Sequence, residues 1–501
     1  MPFTSTWGIE SNHLLLKSVT RSMFIAQIPP PPTKNSVQGS QISDMQETPF
    51  SDLVGLHEEN HRDAFASANE PKSLGHYPRE CLNSSLVKRV KSSNQQTELL
   101  TMRSSEPTSV CIIVENLPVP VDRRVWSEAR ALRDAGYVVS VICPKGKNFC
   151  TASYEILDGI HIYRHRAWEA SSKIGYLLEY ALALVAELYL VLKVFTRTRF
   201  RVLQGCNPPD TIFLIALVLK PFGVRFIFDH HDLAPEVFEA KFGRVNGLLC
   251  ALTRLAEKCS FRVANVSLAT NESFKDVAVK RGGKRPEQVF VVRNCPDLEN
   301  LHRGPVRPEI KHGKPLLVVY VGFMGKQDGL DLLLQSIEHI VNSEKRRDTH
   351  FVLVGGGTML PELRATAAEK ELDTFVTFTG QVSHEEVVVY LSNADVGVAP
   401  DPKTPMNDNS TMIKIFEYMA FELPVVLFDL REGRHVAGPA ALYASPNDPI
   451  DFANQMTKLL DFSELRQQLG ACGRKRIEES LNWDSEKVTL LQAYSAVLET
   501  S

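Results

Sequence analysis

The stretch Asn407–Asp429, NDNSTMIKIFEYMAFELPVVLFD, contains the pattern that decides the fold. It predicts a polar loop, a short helix over residues 412–421, a turn at Pro424 and a strand made by the apolar run VVLF. The helix carries few polar side chains, so other parts of the chain must cover most of its surface. A buried helix that leads into a buried strand is typical of an α/β domain.

Two charged side chains of this helix, Lys414 and Glu417, are three positions apart and lie on one helical face. Ser410 and Thr411 come just before it, where a helix start exposes unpaired amide groups to an anion. The combination suits a nucleotide diphosphate, with amides and a lysine for the phosphates and a carboxylate for the ribose hydroxyls. An ordinary surface ion pair between Lys414 and Glu417 would have the same spacing, so both interpretations stay open.

The segment resembles the signature of the group 1 glycosyltransferases, family 4 of the retaining enzymes. Their GT-B fold has two facing Rossmann-like domains with a cleft between them. In that family two glutamates stand eight positions apart around this helix; the first contacts the donor sugar and the second the ribose. The resemblance places Glu417 at the second position and Asn409 at the first, where an amide replaces the usual carboxylate.

The composition limits the other classes of protein. The chain has 501 residues, 44% of them hydrophobic, and a formal net charge of −3, which does not indicate a nucleic-acid partner. Nine cysteines without a Cys-x-x-Cys pair predict buried thiols in a reducing compartment, not disulfides or a zinc site. The first residues have no apolar run of signal-peptide length, so we expect a cytoplasmic protein.

The organisation along the chain predicts an α/β protein preceded by an extension. Residues 1–107 are rich in Ser, Asn, Gln and Pro and predict a disordered segment, although a start codon placed too far upstream would explain the same composition. The resemblance implies a Rossmann-like acceptor-side domain over 108–298 and a nucleotide-sugar-binding domain over 299–480. It also implies that a C-terminal helix, 481–501, crosses back to the first domain.

The first predicted strand, in SVCIIVENL, is followed by a loop that contains Arg123 and Arg124. This loop lies at the carboxyl end of a strand, where such sheets bind ligands. No Gly-x-Gly-x-x-Gly follows the strand, which argues against a dinucleotide-dependent dehydrogenase. Arg123 and Arg124 either meet a phosphate of donor or acceptor, or pair with Asp122 or Glu128.

The apolar segment KIGYLLEYALALVAELYLVLKVFTRTRFR raises the question of a membrane. Glu179, Glu187 and Lys193 interrupt it, which argues against a transmembrane span. We expect a helix packed along the first domain. The alternative is a helix whose basic end contacts the inner face of an anionic membrane, where a lipid-linked acceptor resides.

A polar cluster, Asp229-His230-His231-Asp232, ends a later strand. Metal binding is disfavoured because adjacent side chains of a strand point to opposite faces and no third ligand is near in sequence. The family has a histidine here that faces the donor sugar. The resemblance assigns it to His231, with His230 as the less suitable match.

In the second domain a loop with Gly322, Gly325 and Gly329 brings amides close to a phosphate, with Lys326 as a positive charge. The resemblance implies that this loop holds the diphosphate and that Gly355 and Gly357 border the nucleotide.

The function implied by the resemblance is transfer of a sugar from a nucleotide-diphosphate sugar to a hydroxyl, with retention of configuration. Lys326, Lys414 and the helix amides would stabilise the leaving diphosphate, and no metal or other cofactor is expected because the chain has no Asp-x-Asp triplet. The implied role is assembly of cell-surface polysaccharide or glycolipid. Two alternatives remain. One is a non-catalytic nucleotide-sugar-binding or scaffold protein, suggested by Asn409 and by the glycine loop, where Phe323 stands at the family's usual Arg position and Asp328 near its usual Lys. The other is a sugar-nucleotide epimerase.

Overall fold

The structure is a computed structural model that describes residues 107–146, 150–166, 173–242 and 247–499. The extension predicted for residues 1–107 lies outside these ranges, apart from its last residue.

The first sheet has eight strands in the order β3-β4-β2-β1-β5-β6-β7-β8. All neighbours are parallel except β3 and β4, which form an antiparallel edge. Its strands are short apolar runs because helices cover both faces of such a sheet. They are β1 (Ser109–Val114), β2 (Val138–Pro144), β3 (Tyr154–Leu157), β4 (Ile160–His165), β5 (Val202–Cys206), β6 (Arg225–His230), β7 (Val266–Ala269) and β8 (Val289–Val291).

The helices of the first domain follow the alternation that the sequence predicts. Asp122 begins α1 as its N-cap, because its carboxylate accepts a hydrogen bond from the amide of Val125. The helices are α1 (Arg123–Asp134), α2 (Lys173–Thr198), α3 (Phe213–Leu219), α4 (Ala234–Phe242), α5 (Gly247–Val263) and α6 (Glu272–Lys280).

The second sheet has six strands, all parallel, in the order β11-β10-β9-β12-β13-β14. The strand predicted from VVLF is β13, and its neighbours are β12 and β14. The strands are β9 (Leu316–Val321), β10 (Thr349–Val354), β11 (Val376–Gly380), β12 (Val396–Ala399), β13 (Val425–Phe428) and β14 (Ala441–Ala444). The prediction of two α/β domains with parallel sheets is therefore confirmed.

The helices around the second sheet include the short helix from the opening stretch, which is α10. Six of its eight residues are buried, in agreement with its apolar surface. The helices are α7 (Leu330–Glu338), α8 (Leu360–Glu369), α9 (His384–Asn393), α10 (Ile413–Ala420), α11 (Arg431–Ala437), α12 (Pro449–Asp461), α13 (Ser463–Glu479) and α14 (Trp483–Glu499).

Helix α2 is formed by the apolar segment that raised the question of a membrane. Val191, Val194 and Phe195 face the first sheet, whereas Val185 and Tyr189 are each 66% exposed. Among the described residues, no helix has both the length and the apolar character that crossing a membrane requires.

The C-terminal segment forms two helices, α13 and α14, and the second lies within the range 481–501 where the resemblance implies a helix. Asn482 ends the first and starts the second: its amide nitrogen donates to the carbonyl of Ile477, and its amide oxygen accepts from the backbone of Ser485. Helix α14 packs against the first sheet through Leu490 and Tyr494.

We predict that Tyr494→Phe destabilises the protein. The Tyr494 hydroxyl donates a 2.6 Å hydrogen bond to Oε1 of Gln204 on β5, and both side chains are fully buried. Removal of the hydroxyl leaves a buried acceptor unpaired, which costs about 1–3 kcal/mol. Urea unfolding measures the loss, with Tyr189→Phe at an exposed hydroxyl as the matched control. Equal stability of the two variants would contradict the buried bond.

Candidate active site

A cavity of about 500 Å³ lies between the carboxyl edges of the two sheets. The first domain contributes the start of α1 and the segments after β6 and β8. The second contributes the loop after β9, the segment after β12, and the start of α9 and α10. Its polar lining residues are Arg123, Arg124, Ser127, Asp232, Asn294, Asp297, Gln327, Asp328, His384, Asp401, Asn407, Ser410, Lys414 and Glu417.

Lys414 borders this cavity, but its ammonium group pairs with Asp401 and not with Glu417. The Nζ atom lies 2.8 and 3.0 Å from the two carboxylate oxygens of Asp401 and 4.9 Å from the centre of the Tyr320 ring. The ordinary surface pair between Lys414 and Glu417 is therefore not formed. Sequence reasoning missed Asp401, although its place directly after β12 at the carboxyl edge was a usable signal.

Asp328 is a second carboxylate beside Lys414. Burial raises the pKa of Asp328 to about 7; Lys414 lowers it and the charge of Asp401 raises it. The Asp328 side chain also accepts a 2.9 Å hydrogen bond from the amide of Gly325, which fixes the loop after β9. Near neutral pH the charge of this group of three residues therefore depends on one proton on Asp328.

Glu417 also borders the cavity, on the same face of α10 as Lys414. Burial raises the pKa of Glu417, and the charges of Arg123 and Lys414 oppose that rise. Arg123 reaches over from α1 of the first domain, and its Nη2 lies 3.4 Å from Nδ1 of His384. Burial, and then the charge of Arg123, lowers the pKa of His384. The sequence analysis did not predict His384, because it named no candidate site residue in the loop after β11.

The start of α10 is open to a ligand, because no side chain caps its first turn. Ser410 borders the cavity and donates its hydroxyl to the carbonyl of Met406. Thr411 is buried, and its hydroxyl accepts a 3.0 Å hydrogen bond from Asn271 of the first domain. Asn409 does not turn towards the cavity: its amide nitrogen donates to the carbonyl of Pro405 at 2.7 Å.

The two glycine loops differ in their position relative to the cavity, and Gly322 of the first loop lines it. Lys326 is exposed and lies outside the lining of the cavity within the described part of the chain. Gly355 and Gly357 also lie outside the lining; a Cβ at Gly355 would stand 1.9 Å from the carbonyl of Gly322. Their role in this structure is to let backbones approach closely.

Arg124 is buried at the border of the cavity and forms structural contacts, among them the pair with Glu128 that the sequence offered as one interpretation. Its guanidinium lies 2.8 Å from Asp229 and 3.1 Å from Glu128, and it donates to the carbonyl of Val292 and to Asn294. Its hydrogen-bonding groups are therefore largely used within the protein.

The two histidines after β6 have different surroundings. His230 is fully buried against the rings of Phe228, Phe261 and Phe274 and is not one of the residues that line the cavity. His231 is mostly buried, with 10% of its side chain exposed, and its Nε2 lies 2.6 Å from Asp229. Burial alone would lower the pKa of His231, but Asp229 raises it above the usual value.

Two family models match the chain. "Glycosyl transferase 4-like domain" matches residues 121–295, and "Glycosyl transferases group 1" matches residues 315–461. The cleft between two parallel-sheet domains and these matches define a GT-B glycosyltransferase that uses a nucleotide sugar. The chain belongs to the group 1 glycosyltransferases, as the sequence predicted.

The chain is distantly similar in sequence to several known proteins. A glycogen synthase of Mycobacterium tuberculosis is 21% identical over 390 residues, which cover 75% of this chain and 90% of that protein. Spore coat protein SA of Bacillus subtilis is 24% identical over 416 residues, 76% of this chain and 98% of its own. The match to the alpha-D-kanosaminyltransferase of Streptomyces kanamyceticus, 26% identical, is local and covers 30% of this chain and 38% of that enzyme.

Solved structures show the same fold. Sucrose-phosphate synthase from Thermosynechococcus elongatus superposes with a TM-score of 0.63 at 18% identity, over 79% of this chain and 100% of that one. Anabaena HepE in complex with UDP and glucose superposes with a TM-score of 0.56 at 14% identity, over 78% of this chain and 100% of that one.

We predict that a nucleotide sugar binds more weakly as the pH rises through about 7. Below that pH Asp328 is protonated and the pair of Lys414 and Asp401 is neutral; above it the site gains one negative charge that repels a diphosphate. UDP-glucose suits the test because its pyrophosphate does not titrate in this range. Calorimetry should show a Kd about fivefold higher at pH 8 than at pH 6, which is a loss of roughly 1 kcal/mol of binding free energy.

The matched pair of variants for this test is Asp328→Asn and Asp331→Asn, the second at an exposed carboxylate three residues later. Asp328→Asn should bind equally at both pH values, whereas Asp331→Asn should keep the dependence. A dependence that survives in Asp328→Asn would show that another group titrates.

Proposed function

We propose that the protein transfers a sugar from a nucleotide-diphosphate donor to an acceptor hydroxyl with retention of anomeric configuration. The observation that carries this proposal is the placement of Lys414 and Glu417 on one face of α10 in the cleft, opposite Arg123 of the first domain. In this arrangement the open start of α10 and Lys414 hold the diphosphate, and Glu417 accepts hydrogen bonds from the ribose hydroxyls.

The chemical need is to stabilise the charge that grows on the β-phosphate as the glycosidic bond breaks. Lys414 is held by Asp401 before the donor arrives, so its position is fixed in advance and little reorganisation is needed. The acceptor approaches from the first-domain side, where Arg123 lies close enough to Glu417 for their charges to interact. Transfer with retention proceeds by attack on the donor face from which the diphosphate leaves.

The donor nucleotide is proposed to be UDP. The supporting observation is that Anabaena HepE is solved with UDP and glucose, and the Escherichia coli trehalose-6-phosphate neighbour with UDP-2-fluoro glucose. The proposed role remains assembly of a cell-surface polysaccharide or glycolipid on the inner face of the membrane, with a lipid-linked sugar as the acceptor.

A non-catalytic nucleotide-sugar-binding protein is the second candidate. The observation that favours it is the side chain of Asn409, which is held by the carbonyl of Pro405 instead of facing the donor. This candidate predicts that UDP-sugars bind and raise the melting temperature but release no UDP with any acceptor.

We predict that Glu417→Gln lowers kcat/KM for the best donor of a UDP-, GDP- and dTDP-sugar panel by about 100-fold. The neutral amide weakens the hydrogen bonds that position the donor, and losses of this size are typical of one removed group in an active site. Nucleoside diphosphate release measures turnover, and NMR of the product reads its anomeric configuration. Inversion of configuration would refute the retaining mechanism.

The matched control is Glu422→Gln, at an exposed glutamate two residues after α10 that pairs with Arg303. It should keep the activity of the wild-type protein. Binding without turnover across the whole panel would favour the second candidate, and equal loss in both variants would remove the assigned role of Glu417.

The proposed membrane contact is the outer surface of α2 and α3. Its exposed apolar residues are Val185, Tyr189, Leu192, Leu214, Leu217, Val218 and Phe222. Phe222 lies three residues after α3, and its ring centroid is 5.8 Å from that of Phe195 on α2, so the segment after α3 is a neighbour of α2 on this side of the domain. Exposed Arg197, Arg199, Arg201 and Lys220 lie near its edge and favour an anionic lipid surface.

We predict that the full chain binds vesicles that contain phosphatidylglycerol and does not bind phosphatidylcholine vesicles. Tyr189→Glu should reduce the bound fraction about tenfold, because it places a negative charge in the apolar contact. Sedimentation with vesicles measures binding, and Val306→Glu, at another exposed apolar residue, is the control. Equal binding of both variants would show that this surface is not the contact.

A further inference from the structure

A buried cluster of three ionisable side chains lies outside the cleft. Glu115 follows β1 directly, His165 ends β4, and Glu187 projects from α2. The exposed fractions are 9% for the Glu115 side chain, 4% for that of His165 and 1% for the whole residue Glu187. One potential ligand atom from each residue lies within 4.8 Å of the other two.

The tautomer of His165 follows from its surroundings. Its Nδ1 lies 3.1 Å from the carbonyl oxygen of Arg166, and a carbonyl oxygen only accepts, so Nδ1 carries the proton. Nε2 of the same ring lies 3.1 Å from Oε2 of Glu115. With Nδ1 as the only protonated ring nitrogen, both of these atoms are acceptors, and they repel each other unless a proton or a metal ion lies between them.

The cluster has three buried polar atoms without a hydrogen-bond partner: Oε2 of Glu115, Nε2 of His165 and Oε1 of Glu187. The ion pairs found within the described part of the chain include no lysine or arginine for either carboxylate. Buried carboxylates without a compensating charge are costly. A proton shared between Glu115 and Glu187 is one way to reduce the negative charge of the two carboxylates. The pKa of Glu187 is raised, chiefly by burial and then by the charge of Glu115, which agrees with such a proton.

We propose that Glu115, His165 and Glu187 bind a divalent transition-metal ion of the Zn²⁺ type. An imidazole nitrogen with two carboxylates suits such an ion and not Mg²⁺ or Ca²⁺, which prefer oxygen ligands throughout. Bonds of about 2.0–2.2 Å bring ligand atoms roughly 3–4 Å apart, which small side-chain rotations achieve from the present separations. The carbonyl of Arg166 fixes the imidazole orientation, as a hydrogen bond to a ligating histidine usually does.

A second group of potential ligands, Cys206, Asp229 and His231, does not qualify. The guanidinium of Arg124 lies 2.8 Å from Asp229, and its Nε lies 3.0 Å from Nε2 of His231. A cation of the protein therefore already occupies the place that a metal ion would take.

The consequence of the proposed metal site is structural. It joins the carboxyl ends of β1 and β4 to α2, the helix that carries exposed Val185 and Tyr189 on either side of Glu187 in sequence. The ion would fix the position of α2 on the first sheet.

The test uses the full chain, freed of metal with EDTA and titrated with Zn²⁺ alone. We expect one tightly bound equivalent by elemental analysis and a higher melting temperature with Zn²⁺. Glu187→Gln should weaken Zn²⁺ affinity at least tenfold. The control is His350→Asn, which changes a buried histidine of the second domain whose Nε2 lies 2.9 Å from Thr377, and it should keep the affinity.

A wild-type chain that takes up no stoichiometric Zn²⁺ would overturn the proposal, and so would equal affinity in wild type and Glu187→Gln. A more stable Glu187→Gln without Zn²⁺ binding in the wild type would assign the cluster to a shared proton. If Glu187→Gln does not fold, Co²⁺ replaces it as a probe of the wild-type chain. One bound Co²⁺ without a thiolate charge-transfer band supports the proposal, whereas such a band would assign the ion to cysteines and overturn it.

Discussion

The guanidinium of Arg124 is buried, so its positive charge needs carboxylates and hydrogen-bond acceptors around it. The arrangement of the first domain depends on these partners. Asp229 and Glu128 supply the negative charge, and the carbonyl of Val292 and Asn294 supply further acceptors. These partners come from α1, β6 and the end of β8, so one side chain joins elements far apart in sequence. Removal of one member of such a buried set leaves an uncompensated charge, which is far more costly than loss of a surface pair.

The same charge balance extends to the C-terminal helix and to His231. Gln204 donates to Glu128 and Asp229 and accepts from Tyr494 of α14, so a helix that follows the second domain in sequence is anchored in the first. Asp229 also orients His231. The pKa of Asp229 is held below its usual value because the charges of Arg124 and His231 outweigh the effect of burial. The orientation of His231 is thus set by the protein core and does not require a ligand.

The sequence predicted the fold well because alternation of apolar runs and amphipathic helices is a local property of the chain. The strands VVLF and SVCIIV and the helix that contains Lys414 are where their patterns put them. Side-chain partners were harder to predict because they depend on contacts across the chain. Lys414 pairs with Asp401, thirteen residues earlier, and Arg123 approaches Glu417 and His384 from the other domain. The amide of Asn409 and the fully buried ring of His230 show that a position in a motif does not determine where a side chain points.

Several contacts between the domains lie at the segment just before α10 and on the neighbouring α11, and they join these parts of the second domain to the first. Asn271 caps α6 by accepting from the amide of Phe274, and its amide nitrogen donates to the carbonyl of Asn409 and to the hydroxyl of Thr411. Two residues later, the amide and hydroxyl of Ser273 both donate to the buried carboxylate of Glu432 on α11. Because the two bonds of Asn271 hold the segment just before α10, opening of the cleft would break them or move that segment. A ligand at the start of α10 that binds the closed arrangement better than an open one would therefore favour closure of the domains.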